Sequence, residues 1–464
     1  MTAENNRAEL PRALTPLERQ WIWAPWAIAS LLVRLRGRVN ETMLQAALDK
    51  VAQRHPALRA RVQYAGAQGA TLTPEGAGGP WVQTVPRQSE DHWLRAVADA
   101  SRQPFDVGAR PPIRLLLLDG TRSTDLVILG HALLTDGASL ISLARDLLAH
   151  LSNPVLPVEP LPAPLPMAEG NLPEEATLGT LARMGINRAN GRWEKERMVL
   201  DQEDYRSLHR AYWGRARSRV LTAVLEPEQT ASLMDRLGQG GLSLQATLAA
   251  LVGASLPATE GREKLGIVVD LRQRLPQPPA EALGAFTTLL PVTLREDVNR
   301  GPWEAARRLQ ETLAPELETR RLFEQVSTTL ATDPTLLEAL PFKRLGGTVQ
   351  PGVPRFARLA AFGRRDDAAL AAVRRPGGAT PGESALGAVV DVLGDPEGPW
   401  ERGSLAVDQL VYRPAPPLPL SNLLLNVGAV AVNGRLSITL EAAEAVLDAA
   451  ALEGVRERLL ASLS

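Results

Sequence analysis

One polar stretch decides the fold of this chain: Gly130-His131-Ala132-Leu133-Leu134-Thr135-Asp136-Gly137. Before it, the apolar runs Ile113 to Leu118 and Asp125 to Leu129, joined by Asp119-Gly120 and polar residues, predict two neighbouring buried strands. After it, apolar residues recur on one helical face, at Leu140, Ile141, Ala144, Leu147, Leu148 and Leu151. The polar stretch therefore lies between a strand and a helix, where proteins commonly hold active-site groups on a rigid support.

The region upstream of this stretch predicts an α/β lobe. Alternating residues from Ser30 to Val39 indicate a strand, and Asn40 is suited to capping the helix that follows. That helix is expected to end before Pro56, and a further strand is expected at Leu58 to Val62. The helix carries its apolar residues at helical spacing, at Leu44, Ala47, Leu48 and Val51. A strand, a helix and a strand in succession are typical of an α/β fold.

A proline-rich segment from Pro154 to Pro173 predicts a linker between two lobes. We expect residues 1–180 to form an N-terminal lobe that carries His131 to Gly137 and ends in this linker, and residues 185–464 to form a C-terminal lobe. The patterns in the second lobe predict a buried helix and two strands, at Ser243 to Leu256, Leu265 to Asp270 and Leu289 to Leu294. Pro- and Gly-rich stretches predict crossover loops that reach toward the first lobe, at Arg375 to Gly382, Asp395 to Trp400 and Arg413 to Pro419.

The composition limits the possible partners. The 464 residues include 51 Lys and Arg against 52 Asp and Glu, and this balance argues against nucleic acid and favours a small molecule or a protein. Because the chain has no cysteine, disulfides, a thiolate nucleophile and a sulfur-based zinc site are excluded, and we predict no metal site. The first residues, MTAENNRAELPRAL, lack the features of a signal peptide, and no apolar run approaches the roughly 18 to 20 residues of a membrane span. We therefore expect a cytoplasmic location and no membrane span.

Several segments, in one order along the chain, resemble the signature motifs of peptide-synthetase condensation domains and of free-standing alcohol acyltransferases. The polar stretch falls where that family has an active-site His-His-x-x-x-Asp-Gly motif. The other segments are Thr15-Pro16-Leu17-Glu18-Arg19-Gln20-Trp21, Arg54-His55-Pro56-Ala57-Leu58-Arg59, Gln103-Pro104-Phe105-Asp106, Val269-Asp270-Leu271-Arg272, Leu283-Gly284-Ala285-Phe286-Thr287-Thr288-Leu289-Leu290-Pro291 and Ser421-Asn422. Their order makes coincidence a poor explanation, so the chain is identified as similar to the condensation-domain and chloramphenicol-acetyltransferase superfamily.

This resemblance implies an α/β fold of two chloramphenicol-acetyltransferase-like lobes, arranged as a V-shaped pseudo-dimer with a tunnel between them. It implies an acyl donor that is a thioester of coenzyme A or of a carrier-protein phosphopantetheine arm, with no permanently bound cofactor. An acyl- or peptidyl-carrier protein is the implied partner, and an amine, alcohol or thiol is the implied acceptor. Phe286, Thr287 and Thr288 resemble the segment beside the tunnel, although an apolar strand start also explains them. Ser421 and Asn422 resemble residues that contact the reacting groups, although a turn explains them equally well.

The resemblance also shows which group is missing. Acyl transfer needs a base that removes the acceptor's proton, and an imidazole with a pKa near neutrality suits this task. In the family, the second histidine of the motif is that base. Here Ala132 aligns with this second histidine. His131 aligns with the first histidine, to which the resemblance gives a mainly structural role. Shifting His131 into the catalytic role would shorten its spacing to Asp136 and, at the end of a strand, turn its side chain to the opposite face.

The end of the motif has a structural explanation beside each functional one. Asp136 is placed to cap the following helix, whereas the resemblance implies that it pairs with an arginine and holds the shape of the site. Arg272 is the candidate partner, and a surface arginine is the alternative. Gly137 permits a close backbone approach that suits a thioester arm, although a tight turn needs no ligand to explain a glycine.

Three functions remain open. The first is an acyltransferase whose base position is occupied by Ala132, either a deliberately inactivated variant or a natural member with impaired chemistry; the otherwise intact motif favours the variant. The second is a non-catalytic module of the same fold that binds a carrier protein or recruits a partner enzyme. The third is acyl transfer without a protein base, in which a positioned substrate amine attacks the thioester unaided.

Overall fold

The computed structural model describes residues 10–121, 123–168, 170–259, 261–279, 281–294, 301–372, 386–398 and 400–463. The strands in this part of the chain are β1 (Arg12–Ala13), β2 (Ile28–Arg36), β3 (Arg61–Tyr64), β4 (Ala70–Thr73), β5 (Trp81–Pro86), β6 (Ile113–Asp119), β7 (Ser123–His131), β8 (Ser218–Leu225), β9 (Lys264–Asp270), β10 (Thr287–Thr293), β11 (Leu386–Val392), β12 (Glu401–Arg402), β13 (Leu405–Arg413), β14 (Leu423–Val432) and β15 (Arg435–Ala443).

The helices connect and cover these strands. They are α1 (Pro16–Arg19), α2 (Glu41–Arg54), α3 (His92–Ser101), α4 (Gly137–Ser152), α5 (Thr180–Glu196), α6 (Gln202–Arg215), α7 (Pro227–Gly240), α8 (Leu244–Ser255), α9 (Pro302–Glu316), α10 (Thr319–Ala331), α11 (Pro334–Leu345), α12 (Phe356–Arg364), α13 (Ala368–Ala372) and α14 (Ala449–Leu463). None of these helices, within the described residues, combines the length and the apolarity needed to cross a membrane.

The first sheet has the strand order β12-β13-β2-β7-β6-β5, and a small separate sheet has the order β1-β4-β3. In the first sheet β6 and β7 lie side by side and antiparallel, which confirms the two predicted neighbouring strands. Both faces of this sheet are covered, so its central strands are buried at nearly every position. Alternate residues enter different cores: Leu32 and Val127 belong to one cluster, while Leu31 and Ile128 belong to another on the opposite face.

The prediction for α2 is confirmed, and the prediction for the segment after it is partly wrong. The side chain of Asn40 accepts a hydrogen bond from the backbone N–H of Met43 at 2.9 Å and so caps the helix, which ends at Arg54. Residues Pro56–Arg59 form a 3-10 turn, and the strand that was predicted from Leu58 begins only at Arg61. The fixed backbone angle of a proline suits the start of such a turn, and Leu58 is fully buried from within it.

The second sheet has the strand order β10-β9-β11-β14-β15-β8. The predicted strands are present, although β10 begins two residues before the predicted Leu289, because Thr287 and Thr288 pair with Asp270 and Val269 of β9. These β-branched residues fit the pleated backbone well. The predicted helix is also present: α8 has Ser243 at its N-cap and is buried on nearly all sides.

One strand from the second half of the chain, β13, is incorporated into the first sheet as an exchanged strand. β13 pairs with β2 in the first sheet, with Leu410 opposite Val33, although β11 before it and β14 after it lie in the second sheet. A buried ion pair of 2.6 Å between Arg413 of β13 and Glu441 of β15 adds a direct link between the sheets. The predicted loops at 395–400 and 413–419 flank β13, whereas the predicted loop at Arg375 to Gly382 lies outside the described residues.

The structure therefore confirms an α/β fold of two lobes, each built on a six-stranded sheet. The described residues between α4 and α5, where the linker was predicted, form no helix and contribute no strand to either large sheet. The division at residues 180 and 185 and the tunnel between the lobes stay predictions. The first lobe holds the polar stretch at the end of β7, and the second sheet faces it through β9 and β11.

Candidate active site

His131 is the last residue of β7, and its imidazole is buried, with 1% of its surface exposed. The backbone N–H of Leu133 donates to its Nδ1 at 3.2 Å, so the proton sits on Nε2, which lies 3.1 Å from the carbonyl oxygen of Ala24. Burial lowers the pKa of His131 to about 4 despite the bond to Ala24, so the ring is neutral at pH 7. Both ring nitrogens are occupied by the main chain, which fits a structural role and argues against His131 as the base.

Ala132 occupies the position that follows. Its backbone N–H donates to the carbonyl oxygen of Ala27 at 2.9 Å, which continues the pairing of this edge with the segment before β2. Its side chain is partly exposed, whereas those of His131 and Leu133 on either side are buried. Ala132 therefore lies at the margin of the apolar cluster that contains Leu133, packed against it on one side and partly open to solvent.

Asp136 ends the turn and joins the two lobes. Its Oδ1 accepts from the backbone N–H of Ser139 at 2.9 Å and caps α4, as one explanation predicted. The Arg272 guanidinium donates to both carboxylate oxygens, each at 2.8 Å, so the predicted pairing partner is also in place. The backbone N–H of Phe286 donates to Oδ2 at 2.9 Å. One buried carboxylate thus connects the N-terminus of α4 to the 3-10 turn after β9 and to the residue before β10.

The charge of Asp136 is stabilised by these partners. Burial by itself raises the pKa of the carboxyl, but the ion pair and hydrogen bonds with Arg272 and the N–H groups of Phe286 and Ser139 outweigh burial and hold the pKa below its usual range. Burial by itself lowers the pKa of the Arg272 guanidinium, but the carboxylates of Asp136 and Asp270 outweigh burial and raise this pKa above its ordinary value. The pair is therefore ionised throughout the neutral range.

Sequence reasoning missed Ser139, which completes this network. Its Oγ lies 2.8 Å from Asp136 Oδ1, 3.0 Å from the carbonyl oxygen of Gly284 and 3.1 Å from Arg272 Nη2. The serine is fully buried in the first turn of α4. Its signal in the sequence is a small polar residue three positions after a capping aspartate, which is common in helices that need no ligand.

Gly137, the first residue of α4, is required by protein packing. A Cβ at this position would lie 2.5 Å from Leu393 Cδ2 and 2.8 Å from Tyr412 Oη. The close approach that was predicted to suit a thioester arm is thus made by two side chains of the chain itself. Tyr412 belongs to the exchanged strand β13, so this contact fixes β13 against the start of α4.

We expect the substitution Gly137→Ala to lower the free energy of unfolding by about 1–3 kcal/mol, since the tyrosine ring and the helix cannot both keep their positions. Urea unfolding of the purified protein measures the change. Gly238→Ala in α7 is the matched control, because its Cβ would meet nothing within 4 Å and alanine favours a helix. Equal losses in the two variants would contradict the steric role of Gly137.

A second group missed from the sequence is the pair of Asp391 and Tyr412. The Tyr412 hydroxyl donates to Asp391 Oδ2 at 2.7 Å, and both side chains are buried. Asp391 lies on β11 of the second sheet, so this bond also spans the lobes. Burial, together with the negative charges of Asp136 and Asp270, raises the pKa of Asp391 to about 7 even though the Tyr412 hydrogen bond opposes this.

The raised pKa gives stability a defined pH dependence. A carboxyl with a higher pKa in the folded than in the unfolded protein favours folding below its unfolded pKa, and this contribution is lost as the pH rises through the folded value. The difference between about 7 and the ordinary 3.8 corresponds to on the order of 4 kcal/mol. Asp391→Asn is therefore expected to gain stability relative to the parent as the pH rises from about 4 to about 7, and to keep this gain at higher pH. Paired urea titrations measure this gain, with the exposed Asp49→Asn as control; parallel pH curves for Asp391→Asn and the parent would contradict it.

The remaining predicted residues lie at the start of β10 and before β14. Phe286 is buried, and its ring centroid lies 4.9 Å from the guanidinium carbon of Arg272, while Thr287 is partly exposed and Thr288 buried. Ser421 and Asn422 form a 3-10 turn, with Ser421 exposed and its Oγ 3.4 Å from Asn422 Oδ1. Among the described residues, the structure shows no hydrogen bond between this turn and residues 131–137, so it does not bring Ser421 and Asn422 into the network.

Comparisons with known proteins find sequence similarity to synthetases over about a third of the chain. No family model matches the chain. Over 147 residues, 30% of this chain, it is 32% identical to a probable non-canonical nonribosomal peptide synthetase, CymA, of Salinispora arenicola. Over 154 residues, 32% of this chain, it is 27% identical to the cyclosporin synthetase of Tolypocladium inflatum. The matches span only 2% and 1% of the length of these relatives.

Solved structures match over nearly the whole chain. The first condensation domain of the calcium-dependent antibiotic synthetase, in complex with a substrate analogue, aligns with a TM-score of 0.63 and 16% identity over 99% of this chain and 96% of its own. The epimerization domain of the third module of tyrocidine synthetase B gives a TM-score of 0.61 and 16% identity over 100% and 98%. Polyketide synthase associated protein 5 of Mycobacterium tuberculosis gives 0.57 and 20% identity over 98% and 97%. At these identities the likeness establishes the fold.

Proposed function

From the condensation-domain fold of this chain, we propose that it acts in acyl transfer, moving an acyl group from a thioester to an amine or alcohol acceptor. The donor is a thioester of coenzyme A or of a carrier-protein phosphopantetheine arm, and the base position is occupied by Ala132. The observation that carries this proposal is the geometry at the end of β7: a partly exposed side chain at position 132 directly follows a buried, main-chain-bound His131.

The network around Asp136 gives the proposed site its rigidity. The bidentate pair with Arg272 and the hydrogen bond from the Phe286 N–H fix the turn relative to the second lobe. A reaction in which donor and acceptor meet between two lobes depends on such a fixed relation, because small misplacements of reacting atoms cost large factors in rate. In this proposal Asp136 and Arg272 are positioning residues, and neither touches the substrates.

The chain as it stands lacks a base in this turn. Ala132 has no titratable group, and both nitrogens of His131 are engaged. This observation supports a second candidate function, in which the fold binds a carrier protein or recruits a partner enzyme without transferring the acyl group. The third possibility, attack by a substrate amine, needs only positioning and predicts measurable transfer to amines without any imidazole.

The experiment compares the parent protein with Ala132→His, using acyl-pantetheine and acyl-coenzyme A thioesters, a panel of amines and alcohols, and mass spectrometry of the products. Faster acyl transfer by the Ala132→His protein than by the parent protein supports the proposal. A folded Ala132→His protein that transfers no acyl group to any acceptor, while both proteins bind an acyl-carrier protein equally, supports the binding module instead. Transfer by the parent to amines alone identifies the substrate-assisted reaction.

A further inference from the structure

Helix α5 has one face that no other part of the described chain covers. Its opposite face is packed: Ala189 and Trp193 are buried, and Trp193 Nε1 donates to Thr335 Oγ1 at 2.8 Å. On the free face, Leu181 and Met184 are 85% and 54% exposed. These two side chains lie three residues apart and therefore adjoin one another on the helix surface. Together they form a small exposed apolar patch on this face.

Cations continue the same face. Arg188, Arg192 and Lys195 follow Met184 at steps of four, four and three residues, which places them along one side of the helix. All three are exposed, and within the described residues none has a hydrogen bond or an ion pair. Some other exposed arginines are neutralised, as Arg36 is by Asp408 at 2.9 Å.

The carboxylates of α5 do not neutralise this row. Glu196 is turned to the flank, where it binds Arg365 at 2.5 Å. Glu194 lies about a third of a turn or more away from the row on the helix circumference. In a chain whose formal net charge is −1, a row of three unpaired cations is a local excess of positive charge. Such an excess attracts an anionic partner and orients its approach.

We propose that the free face of α5, defined by Leu181, Met184, Arg188, Arg192 and Lys195, docks the carrier protein that delivers the donor thioester. This inference rests on the proposed function. A phosphopantetheine arm is joined to its carrier by a phosphodiester, so the attachment point carries a negative charge that suits the cationic row. The apolar pair gives the contact an uncharged centre, as protein interfaces have.

Two other anionic partners fit the face less well. A nucleic acid would contact the exposed Leu181 and Met184, whose apolar side chains neither neutralise phosphates nor hydrogen-bond to them. The chain also has no general excess of cations. A membrane requires a continuous apolar face, but here only two large apolar side chains are free, and the apolar face proper is buried in the protein through Trp193. A protein partner is therefore the one the observations favour.

The test measures binding of a purified holo acyl-carrier protein to the full chain by calorimetry. The triple variant Arg188→Glu, Arg192→Glu, Lys195→Glu is expected to weaken binding by about tenfold or more, and the parent affinity is expected to fall as salt is raised. The pair Leu181→Ser, Met184→Ser is expected to weaken binding without altering its salt dependence. The matched control reverses three other exposed cations, Arg210→Glu, Lys264→Glu and Arg364→Glu, and should bind within about twofold of the parent. Circular dichroism verifies that each variant is folded.

Failure of this inference is distinguishable from failure of the proposed function. In the Ala132→His background, transfer from free acyl-pantetheine needs no carrier, so the α5 variants should keep that rate and lose only the rate with acyl-carrier protein. Carrier binding that the triple variant leaves unchanged overturns the docking surface, as does binding to phosphatidylglycerol vesicles without binding to the carrier. Absence of transfer from every thioester overturns the proposed function and leaves the calorimetric test of docking valid.

Discussion

Replacing Ala132 with histidine is expected to raise the rate of acyl transfer by about 10²- to 10⁴-fold over the parent protein, the usual contribution of a general base. The backbone at this position is already fixed by the hydrogen bond from its N–H to Ala27. Because residue 132 is partly exposed, we expect the new imidazole to be less buried than that of His131, whose pKa burial lowers to about 4. Its pKa should stay near the ordinary value, where it accepts a proton at neutral pH.

Ala132→Gln is the control for this gain, since glutamine has a polar side chain of similar reach but no base. We expect the glutamine variant to stay within a few-fold of the parent and the histidine variant to show a rate that rises with pH through the imidazole pKa. A rate increase of the same size in both variants would show that side-chain volume or polarity, and not proton removal, limits the parent.

Removing the guanidinium of Arg272 is expected to lower the free energy of unfolding by about 3–5 kcal/mol, because it leaves the buried carboxylate of Asp136 without a countercharge. The Arg272 side chain is 6% exposed and that of Asp136 is 5% exposed, so water cannot replace the lost ion pair. Urea unfolding of Arg272→Ala at pH 7 measures the loss. The double variant Asp136→Asn, Arg272→Ala should lose less than the sum of the two single losses, since the uncompensated charge is absent.

Arg36→Ala is the matched control for Arg272. Arg36 also pairs with an aspartate, Asp408, at 2.9 Å, but the two side chains are 61% and 40% exposed. Exposed pairs of this kind contribute about 0–1 kcal/mol. A loss of under about 1 kcal/mol in Arg272→Ala would mean that the two lobes are not held together by this pair.

The part of the site that is local in the chain could be predicted from the sequence. The strand, turn and helix around His131 and Asp136 follow from residue patterns within about twenty positions, and Arg272 was found through a second motif. Asp391 and Tyr412 could not be found in this way, because nothing near either residue in the chain indicates that they meet each other beside Gly137. Their contact depends on which sheet receives β13, and the apolar pattern of a strand is the same in either sheet.

A similar limit explains the error at Leu58. A buried leucine after a proline fits both a strand and a 3-10 turn, and only the packing of the turn against the core decides between them. In contrast, Asn40 was predicted correctly because a helix cap is a local hydrogen bond, here to the N–H of Met43.

The exchanged strand makes completion of the first sheet depend on residues far downstream in the chain. Until residues 405–413 leave the ribosome, β2 has a partner on only one side, and its other edge exposes unpaired N–H and C=O groups along an apolar strand. Such an edge readily recruits another extended chain, so we expect protein that has not yet paired β13 to be prone to aggregation.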